Sequence, residues 1–217
     1  MQSVLIYSGG LDSTVLLYYL RDAGHELRCL GIDYGQRHRR ELGSAAEISR
    51  RLGVEYRMAD LAGLRPLLAV GALTGADAVP EGHYNDESMK LTIVPNRNMI
   101  MLSVAIGWAI SLRFDAVAYA AHAGDHPIYP DCRPEFVESV EKAAALCDWH
   151  PVRILRPFIE KSKTDLVRLG AKLGVPFALT WSCYKGGERH CGRCGTCTER
   201  REAFQLAGVP DPTEYAA

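Results

Sequence analysis

A chain of 217 residues is long enough to enclose one substantial core, with room for a small appended element. Its formal net charge of -1, with 24% charged residues, gives no overall balance that argues for a surface built to coat nucleic acid or for an acidic tail, so any anion site must be local. No apolar run approaches membrane-spanning length, and no basic-then-apolar leader pattern stands near Met1, so a cytoplasmic location without membrane contact is expected. Of seven cysteines, four crowd near the C-terminus, while Cys29, Cys132 and Cys147 are scattered singly. That distribution fits metal binding in a reducing compartment better than a disulfide framework.

The apolar run Val4-Leu5-Ile6 reads as a first strand, and Val15 to Leu20 continues a first helix. Between them stands Tyr7-Ser-Gly-Gly-Leu-Asp-Ser-Thr14. Glycines let the backbone turn tightly with its N–H groups exposed, and the helix N-terminus adds free donors and a positive dipole end, so this turn is a phosphate cradle. It lacks the lysine that a P-loop places before Ser/Thr. The string Ser-Gly-Gly-x-Asp-Ser resembles instead the pyrophosphate loop of the PP-loop ATP pyrophosphatases, which cut ATP between its α and β phosphates. The resemblance implies ATP contacts from Ser8, Gly9, Gly10, Leu11, Asp12, Ser13 and Thr14.

Leu27 to Asp33 reads as a second strand, Arg40 to Leu52 as a helix ended by Gly53, and Val54 to Met58 as a third strand. The interval 60–91 breaks this rhythm with Pro66, Pro80 and four glycines, and is read as an insertion near the site. A buried helix is expected over Asn96 to Leu112, and a fourth strand over Ala116 to Ala120. An amphipathic helix is expected from Pro134 to Cys147, with Phe136, Val137, Val140, Ala144 and Cys147 on one face. Val152 to Leu155 makes a fifth strand, and Lys161 to Leu173 the last well-defined helix before the cysteines. Strands alternating with helices imply an α/β fold, a doubly wound five-stranded parallel sheet, and the resemblance of the glycine loop implies the adenine nucleotide alpha-hydrolase-like, PP-loop kind. Residues 1–180 would form this domain, and residues 181–217 a small C-terminal zinc-binding element.

In such a sheet, ligands lie outside the carboxyl ends of the strands, so Ser8 to Thr14, Asp33 to His38, Ala121 to Arg133 and Arg156 to Lys163 should converge on one crevice. Gln36, Arg37 and His38 precede a helix start crowded with arginines, where an anion would relieve the charge. Asn96 is placed as a helix cap, whereas Arg97 on an apolar segment is suited to charge stabilisation beside a triphosphate. Asp125 and Asp131 can accept from the N–H donors of a purine-like base, and Tyr129 can stack on it. Asp131 can equally cap the helix that follows. Lys163 would reach the phosphates from the side opposite the glycine loop, unless it is simply an exposed helix lysine.

Cys183, Cys191, Cys194 and Cys197, separated by seven, two and two residues, suit a closed tetrahedral zinc site. An iron–sulfur cluster is the rival metal reading, and His190 is an alternative ligand.

Ser-Gly-Gly-Leu-Asp-Ser, Tyr-Gly-Gln-Arg-His, Val-Pro-Asn-Arg-Asn, Gly-Asp-His-x-Ile-Tyr-Pro-Asp-Cys-Arg-Pro-Glu-Phe, Trp-Ser-Cys-Tyr and the closing cysteines follow one another in order from residue 4 to about residue 204. Together they resemble the 7-cyano-7-deazaguanine synthase family of queuosine-precursor biosynthesis. The resemblance implies an ATP-dependent carbon–nitrogen ligase that converts 7-carboxy-7-deazaguanine and ammonia to the nitrile, with ATP, Mg2+ and a structural Zn2+. Asp12, Arg97 and Lys163 would be its catalytic residues, and Asp125, Tyr129, Asp131 and Arg133 its substrate contacts. The expected partners are small molecules and a second copy of the chain in a homodimer, with no nucleic acid. Two other readings stay open at this point: a tRNA-thiolating relative with Cys132 carrying sulfur, and a zinc-tailed nucleotide-binding module without catalysis.

Overall fold

The computed structural model describes residues 1–84 and 87–216, so residues 85 and 86 of the interval 60–91 and residue 217 of the tail lie outside the described residues. Five parallel strands, β1 (Gln2–Ile6), β2 (Glu26–Asp33), β3 (Glu55–Asp60), β4 (Ala116–Ala118) and β5 (Arg153–Leu155), form one sheet in the order β3-β2-β1-β4-β5. The helices are α1 (Leu11–Asp22), α2 (Arg40–Leu52), the single turn α3 (Gly71–Thr74), α4 (Arg97–Leu112), α5 (Pro134–Ala144), α6 (Lys163–Lys172) and α7 (Gly195–Ala207). Among the described residues, no helix is long and apolar enough to cross a membrane.

Alternation along the strands sends side chains to two cores. Val4, Leu30, Ile32 and Val117 join Leu102, Ala105 and Val137 on the α4 and α5 face. Leu5, Cys29 and Ala118 join Val15, Ala45, Leu166 and Phe204 on the face covered by α1, α2, α6 and α7. The expected doubly wound parallel sheet is therefore present. The strand order reverses between β1 and β4, and this is where their carboxyl ends part to leave a crevice.

Several boundaries differ from the sequence reading. Helix α5 stops at Ala144, which leaves Cys147 exposed rather than on the buried face. Helix α6 is the last α-helix before the cysteines, as expected, and the chain adds an unexpected α7, with Cys194 as its N-cap residue and Cys197 in its first turn. Its pattern is disguised because Arg200, fully buried, takes an interior position that apolar periodicity does not reveal. The interval 60–91 contributes two 3-10 turns and α3 across the carboxyl end of the sheet. Arg37 pins it there, its backbone N–H donating to the Leu73 carbonyl and its guanidinium to the Asp77 carbonyl at 2.8 Å.

Candidate active site

A cavity of about 240 Å3 opens at the reversal point. Its walls carry Ser8, Gly10, Leu11, Asp12 and Ser13 from the glycine loop, Gln36 and His38 after β2, Arg97 on α4, Asp125 and Tyr129 after β4, and Lys163 on α6.

The local causes are plain for the loop. Gly9 has φ +82°, and a Cβ there would meet the Glu41 carbonyl at 2.3 Å and the Ala45 nitrogen at 2.5 Å, so only glycine lets β1 turn against α2. Gly10 begins α1 without any side-chain cap. The first N–H groups of α1 are thus left for an outside anion. Thr14 turns inward instead, bonding the Gly10 carbonyl at 2.7 Å and the Tyr7 hydroxyl at 3.2 Å. Gly9 and Thr14 therefore shape the loop and do not line the cavity.

Lys163 owes its place to a capping box. Ser162 Oγ accepts from the Asp165 N–H while the Asp165 carboxylate accepts from Ser162, which starts α6 with Lys163 as its first residue. Lys163 Nζ lies 2.7 Å from Asp12 Oδ2 and 3.3 Å from Glu199 Oε2. Burial alone would raise the Asp12 carboxyl, but Lys163 and then His122 hold it below its ordinary value. Burial alone would lower Lys163, and the carboxylates of Asp12, Glu199 and Asp125 raise it instead. Glu199 is raised, since its burial outweighs Lys163 and His122. Asp12 Oδ1 is buried with no hydrogen-bond partner among the described residues, which is the orphan oxygen a cation would satisfy.

His122 ends in this cluster too. Its Nδ1 accepts from the Gly124 N–H, which directs Nε2 toward Asp12 at 3.9 Å and Asp125 at 3.7 Å. Asp125 Oδ1 also accepts from the Tyr84 hydroxyl at 3.0 Å, bringing the interval 60–91 into the site.

The opposite wall is phenolic and cationic. Arg97 lies over the Tyr129 ring at 5.8 Å and against the Tyr34 phenol, with its Nε buried and without a hydrogen-bond partner among the described residues. Tyr129 is fixed by Thr92 Oγ1 at 2.6 Å, and the Tyr84 ring tilts over it at 6.3 Å. Burial raises the Glu41 carboxyl to about 7, Arg97 offsetting only part of the effect. Ile6, Leu30, Ile32, Leu73 and Met101 supply an apolar floor between the two walls, suited to a flat heterocycle.

Other expected contacts fall elsewhere. Arg37 serves the interval 60–91 as described. Asp131 accepts from the Asn98 N–H at 3.2 Å, so it caps α4 and not the helix that follows it, while the Asn98 amide reaches the Asp131 carbonyl and Cys132 Sγ. Asn96 precedes α4 with φ 59° and makes no side-chain cap bond, because Asp131 has taken that task. Arg133 is exposed and donates to the His126 carbonyl at 2.9 Å. Of the stretch Arg156 to Lys163, only Lys163 lines the cavity, Arg156 pairing with Glu141 at 3.1 Å. Cys132 reaches the cavity, but burial pushes its thiol far up, so it stays protonated. Tyr34, Glu41, Tyr84, His122, Trp181, Tyr184 and Glu199 are not singled out by sequence; Tyr34, Trp181 and Tyr184 stand inside recognisable strings, His122 and Tyr84 in segments expected at or near the crevice, and only Glu41 and Glu199 carry no such signal.

The sulfurs of Cys183, Cys191, Cys194 and Cys197 all lie within 4.8 Å of one another. Cys191 to Cys197 is 3.9 Å and Cys194 to Cys183 is 4.0 Å, close to the separation of about 3.8 Å that tetrahedral Zn–S bonds of about 2.3 Å require. Backbone N–H groups of Lys185 and Cys191 donate to Cys183 Sγ, and those of Arg193 and Cys194 to Cys191 Sγ, as thiolate ligands need. His190 points away, its Nε2 accepting from the Ser182 N–H and its ring packed on Trp181. The cluster can hold a metal ion with four sulfur ligands.

Comparison with known proteins agrees with this geometry. Among solved structures, a 4-thiouridine synthetase–RNA complex with bound ATP matches 95% of this chain and 50% of its own, at TM-score 0.55 and 17% identity. The NH3-dependent NAD synthetase of Campylobacter jejuni matches 81% of this chain and 65% of its own, at TM-score 0.51 and 15% identity. These likenesses establish the fold alone. Among sequences, the 7-cyano-7-deazaguanine synthase of Paracoccus denitrificans is 52% identical over 99% of this chain and 93% of its own length, and that of Caldicellulosiruptor saccharolyticus 51% identical over 99% and 96%. The protein of that name from Archaeoglobus fulgidus is 49% identical over 98% and 89%. The sequence model described as "Queuosine biosynthesis protein QueC" matches residues 2–208, and the chain belongs to that family.

Proposed function

We propose that this protein converts 7-carboxy-7-deazaguanine and ammonia to 7-cyano-7-deazaguanine at the expense of ATP. The observation that carries the reading is the meeting, in one cavity, of a free helix N-terminus behind a glycine loop, the Asp12–Lys163 pair, and an apolar floor closed by Tyr129 and Arg97.

A carboxylate is a poor electrophile. Its oxygen attacks the α-phosphate of ATP, pyrophosphate leaves into the cradle of Ser8 to Ser13, and the acyl-adenylate loses AMP to ammonia. The amide oxygen then displaces pyrophosphate from the α-phosphate of a second ATP, and loss of AMP and of the two nitrogen-bound protons leaves the nitrile. Such chemistry asks the protein for alignment and for stabilisation of phosphate charge, with no thiolate nucleophile. Lys163 and the first N–H groups of α1 face that charge. Arg97, Asp125 and Tyr129 act on the deazapurine. Mg2+ neutralises phosphate oxygens when bound, and Asp12, with its orphan oxygen, is the residue to hold it. Zn2+ at the four cysteines is structural, since four protein ligands leave no open position. Residues 1–180 form the ATP-cleaving domain, residues 181–217 its zinc-binding element, and the working assembly is a cytoplasmic homodimer.

The thiolation alternative requires Cys132 as a sulfur carrier, and its protonated, Asn98-bonded thiol argues against that role. The test is direct. Purified protein with ATP, ammonium and 7-carboxy-7-deazaguanine is expected to give AMP and a mass corresponding to amide and then nitrile; formation of neither product sinks the reading.

A further inference from the structure

Two carboxylates from distant parts of the chain reach Lys163. Asp12 comes from the first turn of α1 and Glu199 from α7, at 2.7 and 3.3 Å, and the Lys163 and Glu199 side chains are each only 13% exposed. The proposed chemistry gives Asp12 a second task, holding magnesium, and gives Glu199 none. Lys163 Nζ donates to Asp12, lies 3.4 Å from His122 Nε2, and meets Glu199 Oε2 as an ion pair, that oxygen having no hydrogen-bond partner among the described residues; a lysine ammonium on a four-carbon stem swings unless it is held from more than one side.

Glu199 stands on an unusually well-tied support. It lies two residues past Cys197, in a helix whose start is bounded by Cys194 and Cys197. The next residue, Arg200, is fully buried and donates to Thr180 Oγ1 at 2.8 Å, Ser182 Oγ at 3.1 Å and the Phe177 carbonyl at 2.9 Å. That segment in turn donates the Trp181 N–H to the Gly9 carbonyl at 3.1 Å. The four-cysteine element thus reaches Lys163 through α7 and the glycine loop through the 177–182 segment that Arg200 ties to that helix. Asp12, in contrast, sits where phosphates and a cation must enter, and a divalent ion draws its carboxylate away from the ammonium. Glu199 is the acid that stays.

We propose that Glu199 is a positioning residue that holds Lys163 Nζ against the phosphates while Asp12 serves the cation, which makes the four-cysteine element part of the active-site support. The proposal rests on the reading of the cavity as an ATP-cleaving site.

Glu199→Gln keeps shape and removes charge, Glu199→Asp keeps charge, and Lys163→Gln removes the group being positioned. Glu199→Gln is expected to retain bound metal and cooperative melting while kcat for AMP formation falls about 10–100-fold, the scale of a misplaced catalytic group. KM for the carboxylate substrate is expected to move by less than about threefold. Glu199→Asp recovers part of the loss. Glu199→Gln added to Lys163→Gln costs nothing further, because the two act as a unit. Additive losses, as for a residue binding magnesium itself, overturn the proposal, as does unchanged turnover in Glu199→Gln or an equal loss of metal in Glu199→Gln and Glu199→Asp. The same cycle is read without turnover as affinity for a non-hydrolysable ATP analogue by calorimetry. An intact binding cycle in a protein that forms no AMP sinks the functional reading alone.

Discussion

Trp181 donates its backbone N–H to the carbonyl of Gly9 at 3.1 Å, joining the segment that leads into the four-cysteine element to the loop that follows the first strand. The two ends of the chain are therefore one mechanical unit at the cavity, and substitutions at either end should be felt at the other.

Gly9→Ala is the sharpest test of the loop. The new methyl would collide with backbone atoms of Glu41 and Ala45, which no rotamer can move, at a φ of +82° that disfavours side chains. A destabilisation of about 2 kcal/mol or more is expected, read as a lowered denaturation midpoint together with loss of ATP affinity.

Removing the metal should act locally first. Chelation, or Cys197→Ser, is expected to strip a metal ion held by the four cysteines and to expose the chain beyond Thr180 to protease, because α7 starts on two of the four cysteines. Metal analysis followed by limited proteolysis checks this; a tail that stays resistant after complete metal loss refutes the dependence.

Glu41 gives a pH signature. Its folded-state carboxyl is raised from 4.5 to about 7, so the folded state binds more protons than the unfolded chain between those values. Stability contributed by the protonated form is fully present below the unfolded value and is lost as pH rises through the folded one. Glu41→Gln, which cannot ionise, is expected to flatten that decline and to melt higher than the parent above neutrality. Thermal melts across the range decide it.

Cys132→Ala should leave AMP formation within about twofold of the parent, since a buried, protonated thiol supplies no nucleophile. A loss of turnover with folding intact would favour sulfur-carrying chemistry.

Much of this was legible beforehand because it is local. The glycine loop shows itself by residue type and by its place between an apolar strand and a helix, and the bounds of α2, Arg40–Leu52, follow from its amphipathic spacing and the closing Gly53. The cysteine cluster shows itself by spacing. Asp131 was ambiguous because a carboxylate before a helix serves a cap or a ligand equally well, and only the approach of Asn98, 33 residues earlier, decides for the cap of α4. Arg37 reads as an anion ligand and Arg133, through the resemblance, as a substrate contact, and both donate to backbone carbonyls instead.

The sequence by itself determined the parallel α/β plan, the phosphate-binding turn and the four-sulfur site, because each announces itself by a local pattern: the alternation of strand and helix, a glycine turn between them, and cysteines spaced along one short stretch. Only the tertiary structure decided which charges meet. Glu41 and Glu199 sit on helices where charged residues usually face water, and their roles arise from burial against Arg97 and Lys163, partners 56 and 36 positions away. Burial and Coulomb energy depend on distance in space, and no short-range pattern along the chain encodes that distance.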